Sequence, residues 1–177
     1  LKGQTLKGNL TVNSTFFDLN PWLESPSLQL TAIELPARID FILNSTFKEV
    51  LVGKLKTTNV SGILALKDKI LHLIDLNINV LNGSLITNGT YSKLTDTPAH
   101  SFFGLKINNF SIAEAFQNFL TVQKFVPVAK SIQGNFAANL ELVTDFDSTL
   151  TPVISTIFSS GSLIIQKVLI ENFRPLE

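Results

Sequence analysis

Two alternating runs of residues on either side of an Asn-Gly pair constrain the fold more than any other feature of this chain. The stretch DLNINVLNGSLITNGTYS, residues 75–92, places Asn82-Gly83 between these runs. A two-residue hairpin turn of type I′ needs positive φ at both central positions, and Asn-Gly satisfies this requirement best. The sequence therefore predicts a β-hairpin with Asn82-Gly83 at its tip.

The alternation of the two runs predicts one mainly apolar and one mainly polar face, because successive side chains of a strand point to opposite sides. Gly89 leaves space on the apolar face. The predicted register pairs four residues of each strand on that face: Val80 with Leu85, Ile78 with Thr87, Leu76 with Gly89 and Ile74 with Tyr91.

A second hairpin is predicted just upstream, in SGILALKDKILHL, with Asp68-Lys69 at its tip. This pairing sets Ile63 opposite Ile74 and Ala65 opposite His72, which extends the predicted apolar face. The other face is also apolar here, since it holds Leu64, Leu66, Leu71 and Leu73. We therefore expect a sheet that is apolar on both sides near this edge.

Further strands are expected along the rest of the chain, and their succession favours an antiparallel meander over βαβ units. The predicted ranges are Thr5–Val12, Ala37–Phe47, Val50–Thr58, Phe102–Asn108, Asn135–Val143 and Ser162–Ile170.

Two helices are predicted to interrupt the strands. Ser111-Ile-Ala-Glu114 is a capping box, and Pro127 ends the helix that it begins, with a short further turn to about Ile132. The second helix has Thr151 as its cap, Pro152 at its first position and Gly161 as its stop. Their predicted buried residues are Ile112, Phe116, Phe119 and Leu120 in the first helix and Val153, Ile154, Ile157 and Phe158 in the second.

The predicted fold class is therefore α+β. We expect a curved, mainly antiparallel sheet, a meander of hairpins, with two or three short helices packed on one face and an apolar groove on the other.

The composition excludes several classes of function. Fourteen basic residues balance fourteen acidic ones, so no basic surface indicates nucleic acid as a partner. The chain has no cysteine and only two histidines, His72 and His100, so we expect neither a metal site nor a cofactor. Fourteen phenylalanines against one tyrosine and one tryptophan supply aromatic bulk without polar groups, which suits a core or contact with acyl chains.

One short string resembles a catalytic motif. Asp145-Phe-Asp147-Ser-Thr149-Leu150 is similar to the nucleophile loop of the haloacid-dehalogenase-type phosphatases. The strand before it alternates polar and apolar residues, unlike a buried parallel strand, and too few residues follow for a doubly wound domain. We therefore interpret the string as a turn leading into a helix, and we expect no catalytic residues.

Seven Asn-x-Ser/Thr sequons raise the alternative of a glycosylated secreted protein. The other interpretation is compositional, since outward strand positions here are filled with Asn, Ser and Thr in place of charges, and we prefer it. The sequons begin at Asn9, Asn13, Asn44, Asn59, Asn82, Asn88 and Asn109.

Taken together, the order of elements resembles the C-terminal region of AsmA-like proteins over about Val60–Phe173. The resemblance rests on GILALKDKILHLIDLNINVLNGSLITNGTYS, on FFGLKINNFSIAEAF, and on the closing QGNFAANLELVTDFDSTLTPVISTIFSSGSLIIQKVLIENF. It implies a segment of a large, non-enzymatic envelope protein of Gram-negative bacteria. Such a protein is anchored in the inner membrane, extends through the periplasm and is associated with outer-membrane biogenesis.

We expect residues 1–177 to form one segment of such a protein, whose N-terminal membrane anchor lies outside this chain. The resemblance implies a β-groove that binds or carries phospholipid acyl chains or another apolar lipid. The alternative is a structural or protein-interaction module whose apolar face is covered by neighbouring repeats or a partner. From the predicted register, the candidate groove residues are Ile70, Ile74, Leu76, Ile78, Val80 and Leu85. A charge at Ile74 or Ile78 is expected to abolish acyl-chain binding.

Overall fold

A computed structural model describes residues 4–23, 32–119, 122–123 and 126–170. Nine strands form one curved, open sheet. Their bounds are β1 (Leu6–Ser14), β2 (Phe17–Asp18), β3 (Ile39–Val52), β4 (Leu55–Lys67), β5 (Ile70–Val80), β6 (Gly83–Ser92), β7 (Ala99–Ser111), β8 (Ile132–Phe146) and β9 (Phe158–Ile170). The helices are α1 (Asn20–Leu23) and α2 (Ile112–Asn118), with 3₁₀ turns at Pro127–Ser131 and Ile154–Thr156.

The seven strands from β3 to β9 follow one another in space as they do in the sequence, each antiparallel to the next. This confirms the predicted curved, mainly antiparallel meander. The exceptions lie at one edge, where β1 and β2 each pair with β3 in parallel. A parallel pair needs a long connection, and 24 residues separate Ser14 from Ile39 in the sequence.

The first hairpin of the sheet differs from the prediction. We expected a break between Phe47 and Val50, yet β3 continues to Val52. The chain reverses at Gly53, whose φ of 61° is one that glycine adopts without steric cost. Polar Lys48 and Glu49 lie inside the strand, where Glu49 pairs with Lys56 across the hairpin at 2.8 Å.

The hairpin between β4 and β5 is confirmed. Asp68 and Lys69 form its tip with φ values of 50° and 64°, as a type I′ turn requires. Ile63 lies opposite Ile74 and Ala65 lies opposite His72, as predicted.

The hairpin between β5 and β6 turns one residue earlier than predicted. Leu81 and Asn82 are its central residues, with φ values of 51° and 61°, and Gly83 already pairs with Val80. A leucine with positive φ is unusual, but Leu81 is 5% exposed and belongs to the core cluster, so its burial offsets the strain. The register is therefore shifted by two residues.

Helix α2 begins where the capping box predicts. The Oγ of Ser111 accepts a hydrogen bond from the amide of Glu114 at 3.3 Å. On its inner side, Ala115 packs with Val80, Leu81 and Phe110 in the main core cluster.

The predicted second helix is absent. Residues 154–156 form only a 3₁₀ turn, and β9 begins at Phe158 and pairs with β8. Ile154 and Phe158, which we expected to be buried, are 71% and 66% exposed. Gly161 does not stop a helix: it lies within β9 opposite Leu140, where a side chain would overlap the carbonyl of Asn139. Backbone pairing along β8 therefore overrides the local helical pattern.

Candidate functional site

Apolar residues form rows that cross the sheet from strand to strand on one side. Because directly paired residues share a face, the register defines these rows. One row runs Ile78, Leu85, Ile107, Ala138 and Leu163. The next runs Leu76, Thr87, Leu105, Leu140 and Gly161, and a third runs Leu10, Leu43, Leu64, Leu73, Gly89, Phe103, Leu142 and Ser159. We call the side formed by these three rows the apolar face.

Most side chains of the apolar face are only half-buried. Leu76, Ile78, Leu105 and Leu140 all have intermediate exposure, whereas the Ala138 between them is buried. A single sheet layer cannot bury its own apolar side, because it needs a second layer packed against it. The apolar face is therefore a broad surface with room for a hydrophobic occupant.

The opposite side of the sheet, which we call the polar face, is dominated by Asn, Ser, Thr and charged residues. Pairs of asparagine side chains link neighbouring strands, Asn44 to Asn9 and Asn135 to Asn109, each at 3.0 Å. Nδ1 of His100 lies 2.7 Å from Oδ1 of Asp145 across β7 and β8. Both features fit a face that contacts water.

Four of the six candidate groove residues lie on the apolar face. Val80, Ile78 and Leu76 alternate along β5, and Leu85 pairs with Ile78 from β6. The shift in register by two residues keeps these side chains on the predicted side, since the side-chain period of a strand is two.

The prediction is wrong for Ile70 and Ile74, which lie on the polar face. Ile74 pairs with Ile63 and is 38% exposed, and Ile70 pairs with Lys67 and Ser92. The cause is a bulge at Asp75, whose φ is 47° and where the register with β6 shifts. A bulge adds one residue to a strand and so reverses its alternation.

The leucines that we had placed on a separate face are part of the apolar face. Leu64 pairs with Leu73 and Leu66 with Leu71, and Leu73 pairs with Gly89 in the third row. The sequence contained a signal for this arrangement. In ILHLIDLNINV, residues 70–80, leucines stand at odd positions before Ile74-Asp75, and large aliphatic residues stand at even positions after it. Such a change in the alternation is typical of a bulge.

Gly89 gives the apolar face its shape near the centre. A Cβ atom at this position would lie 2.5 Å from Cδ1 of Phe103 and 2.7 Å from the carbonyl oxygen of Phe102. The glycine therefore allows the Phe103 ring to lie over β6. The space lies beside Leu73, not beside Leu76 as predicted, because of the shifted register.

Helix α2 lies on the apolar face, at the end where β5 turns into β6. Ala115 of α2 belongs to the main core cluster together with Val80, Leu81 and Phe110. The ring of Phe110 meets that of Phe136 edge-on, with 5.9 Å between the ring centroids. The expectation that helices and groove occupy opposite sides of the sheet is therefore wrong. Because α2 follows β7 through Phe110, which is buried on the apolar face, the helix closes that end of the face.

The string that resembles a phosphatase loop is the connection between β8 and β9. Oδ1 of Asp147 accepts hydrogen bonds from the amide and hydroxyl of Thr149, at 2.8 and 2.7 Å, and from the amide of Thr151 at 2.9 Å. The pKa of Asp147 is lowered, first by the hydroxyl of Thr149 and then by the amides of Thr151 and Thr149. The predicted turn is confirmed, but the described residues after it form a 3₁₀ turn at Ile154–Thr156 and then β9 in place of the predicted helix.

Neither histidine belongs to a cluster of metal ligands. His72 lies on the polar face, between Ala65 and Thr90, and not on the apolar one as predicted. Within the described ranges, no three residues of the His, Cys, Asp and Glu types converge on one point. None of the helices in the described part of the chain has the length and apolar character needed to cross a bilayer.

Comparisons with protein-family models, with curated proteins and with solved structures find no match for this chain.

Proposed function

We propose that this chain is a non-enzymatic segment of a bacterial envelope protein that binds phospholipid acyl chains on its apolar face. The observation that supports the proposal best is the set of cross-strand rows. On the apolar face, half-buried aliphatic side chains continue across the strands from β5 to β9. The other side carries mainly Asn, Ser, Thr and charged residues, and apolar ones such as Ile63, Ile74 and Phe102 lie among them. A broad apolar face of this kind, which the described part of the chain leaves partly exposed, marks a binding surface.

The chemistry of the rows favours a hydrocarbon as the occupant. Leu76, Ile78, Leu105 and Leu140 offer no hydrogen-bond donor or acceptor in their side chains, so they stabilise a ligand only by burying apolar surface. Each buried methylene group contributes about 0.8 kcal/mol, so a chain of many methylenes gains affinity without any specific polar contact. Specificity on such a face comes from shape.

The cellular setting of the proposal comes from the resemblance to AsmA-like proteins. On the strength of that resemblance we propose that the protein lies in the periplasm of a Gram-negative bacterium, is attached to the inner membrane by an N-terminal anchor, and contributes to outer-membrane biogenesis through lipid transport. The proposal assigns no catalytic residue and needs no cofactor.

Native mass spectrometry of the purified chain tests this function. The proposal predicts monomers that retain phospholipid, with masses that fall to that of the bare chain when the lipid is stripped by detergent. Lipid-free monomers that also fail to take up phospholipid from vesicles would contradict it.

A second candidate function is a protein-interaction module, and the outer edge of β9 favours it. In the described part of the chain, β9 pairs only with β8, so its other edge is open. Its side chains are also exposed on both faces, with Leu163 at 58%, Ile164 at 61% and Ile165 at 48%. Open apolar edges pair readily with a strand of another chain. In the same experiment, a lipid-free dimer favours this function over lipid binding.

A further inference from the structure

Helix α2, the 3₁₀ turn at Pro127–Ser131 and the ends of β8 and β9 surround an apolar cavity of about 220 Å³. Its wall, as formed by described residues, is entirely apolar. The wall includes Ile112, Ala115, Ala129, Phe136, Leu163 and Ile165.

The cavity continues the apolar face. Leu163, in its wall, is the last member of the row that runs through Ala138 and Ile107 to Leu85. Phe136, also in its wall, packs against the main core cluster, which consists of Val80, Leu81, Phe110 and Ala115. A hydrocarbon chain lying along this row therefore reaches the cavity past described side chains that are all apolar.

We propose that this cavity binds the methyl end of the acyl chain whose remaining length lies on the apolar face. The inference rests on the proposed function and names the place where the ligand ends. Because α2 lines one side of the cavity, we place the end of the chain there and its middle on the apolar face.

The chemistry of the wall selects this occupant. A peptide segment would bring amide and carbonyl groups, and a lipid head group would bring charge, and neither finds a partner here. Water also gains no hydrogen bond from such a wall, whereas the end of an alkyl chain buries apolar surface there.

Photocrosslinking with two fatty acids tests the proposal on the full chain. One fatty acid has a diazirine at its methyl end, and the other has it beside the carboxylate. We expect the methyl-end probe to label the peptides that contain Ala129 and Phe136, and the carboxylate-end probe to label residues elsewhere.

Two variants of β9 form a matched pair for this experiment. Leu163→Trp fills the cavity, whereas Ile164→Trp lies on the opposite face, and both positions are about equally exposed. Leu163→Trp should lower methyl-end labelling in the cavity about tenfold, the effect of losing the burial of roughly two methylene groups. Ile164→Trp should leave it unchanged.

The outcomes separate the two proposals. If the fatty acids bind but both probes label the same peptides, or label none in the cavity, the cavity proposal is overturned and the proposed function stands. If neither fatty acid binds, both fail. A benzene titration followed on the methyl signals of Ala115 and Ala129 then shows whether the cavity itself is closed to hydrocarbon.

Discussion

Ile74 and Leu76 lie two residues apart in β5, yet their side chains point to opposite faces of the sheet. Ile74 pairs with Ile63 on the polar face, and Leu76 pairs with Thr87 on the apolar face. Asp75 between them adopts a φ of 47° and forms the bulge that reverses the alternation. This one residue decides which aliphatic side chains of β5 face a ligand.

The bulge is held in place by asparagine side chains. Oδ1 of Asn88 accepts a hydrogen bond from the amide of Asp75 at 2.8 Å, and Nδ2 of Asn77 donates to the carbonyl of Asp75 at 2.7 Å. We expect Asn88→Ala to lower the free energy of unfolding by about 1 kcal/mol, since the amide of Asp75 loses its partner. Asn79→Ala is the control, because Asn79 lies on the same face of the sheet as Asn88, in the neighbouring strand β5. Urea unfolding measures the free energy of unfolding of both variants.

Hydrogen exchange locates the effect of the Asn88 change. The amide of Asp75 should exchange faster in Asn88→Ala than in Asn79→Ala, while amides at the centre of β8 stay protected. Equal exchange at Asp75 in both variants would mean that the bulge does not depend on Asn88.

Gly89 should tolerate no side chain, whereas a glycine of the neighbouring strand should. A Cβ at Gly89 overlaps the Phe103 ring and the carbonyl of Phe102, but one at Gly104 meets only the carbonyl of Asn88 at 3.8 Å. We expect Gly89→Ala to cost about 1–3 kcal/mol of stability, as overpacking does, and Gly104→Ala to cost almost nothing. Thermal unfolding of the two variants checks this, and equal stabilities would show that Phe103 moves aside freely.

Asp147 should stabilise the loop between β8 and β9 in a pH-dependent way. Its pKa is lower in the folded chain than in the unfolded one, so its contribution is fully present above the unfolded pKa, about 4. That contribution is lost as the pH falls through the lowered folded value. The stability difference between the wild type and Asp147→Asn should therefore shrink between neutral pH and about pH 3 in urea unfolding. A difference that stays constant with pH would contradict this account.

The strand order and one hairpin could be predicted because they depend on local patterns. Asp68-Lys69 lies between two clear alternating runs, and both its turn and its register are confirmed. The helix at Ser111 could be predicted for the same reason, because its cap is formed by residues three positions apart.

The remaining features depend on contacts between distant residues. Leu81 adopts positive φ because it is buried in a cluster with Phe110 and Ala115, which no local pattern around Asn82-Gly83 reveals. Residues 158–161 extend the predicted strand at Ser162–Ile170 because β8 offers an unpaired edge, although the local pattern at 151–161 favours a helix. The bulge at Asp75 can be recognised in the sequence, because the alternation of aliphatic residues changes there. Which face of the sheet each half of β5 occupies depends on the register with β6, and that register cannot be read from β5 alone.

The most direct test of the lipid-binding proposal compares one aspartate substitution on each side of the bulge. Leu76→Asp and Ile74→Asp are each incubated with phospholipid vesicles, and bound lipid is counted by native mass spectrometry after circular dichroism has verified the fold. We predict that Ile74→Asp binds phospholipid like the wild type, and that Leu76→Asp binds about tenfold less, because a desolvated charge opposes an acyl chain. Equal binding by the two folded variants, or loss of binding in Ile74→Asp alone, would contradict the assignment of the apolar face as the lipid site.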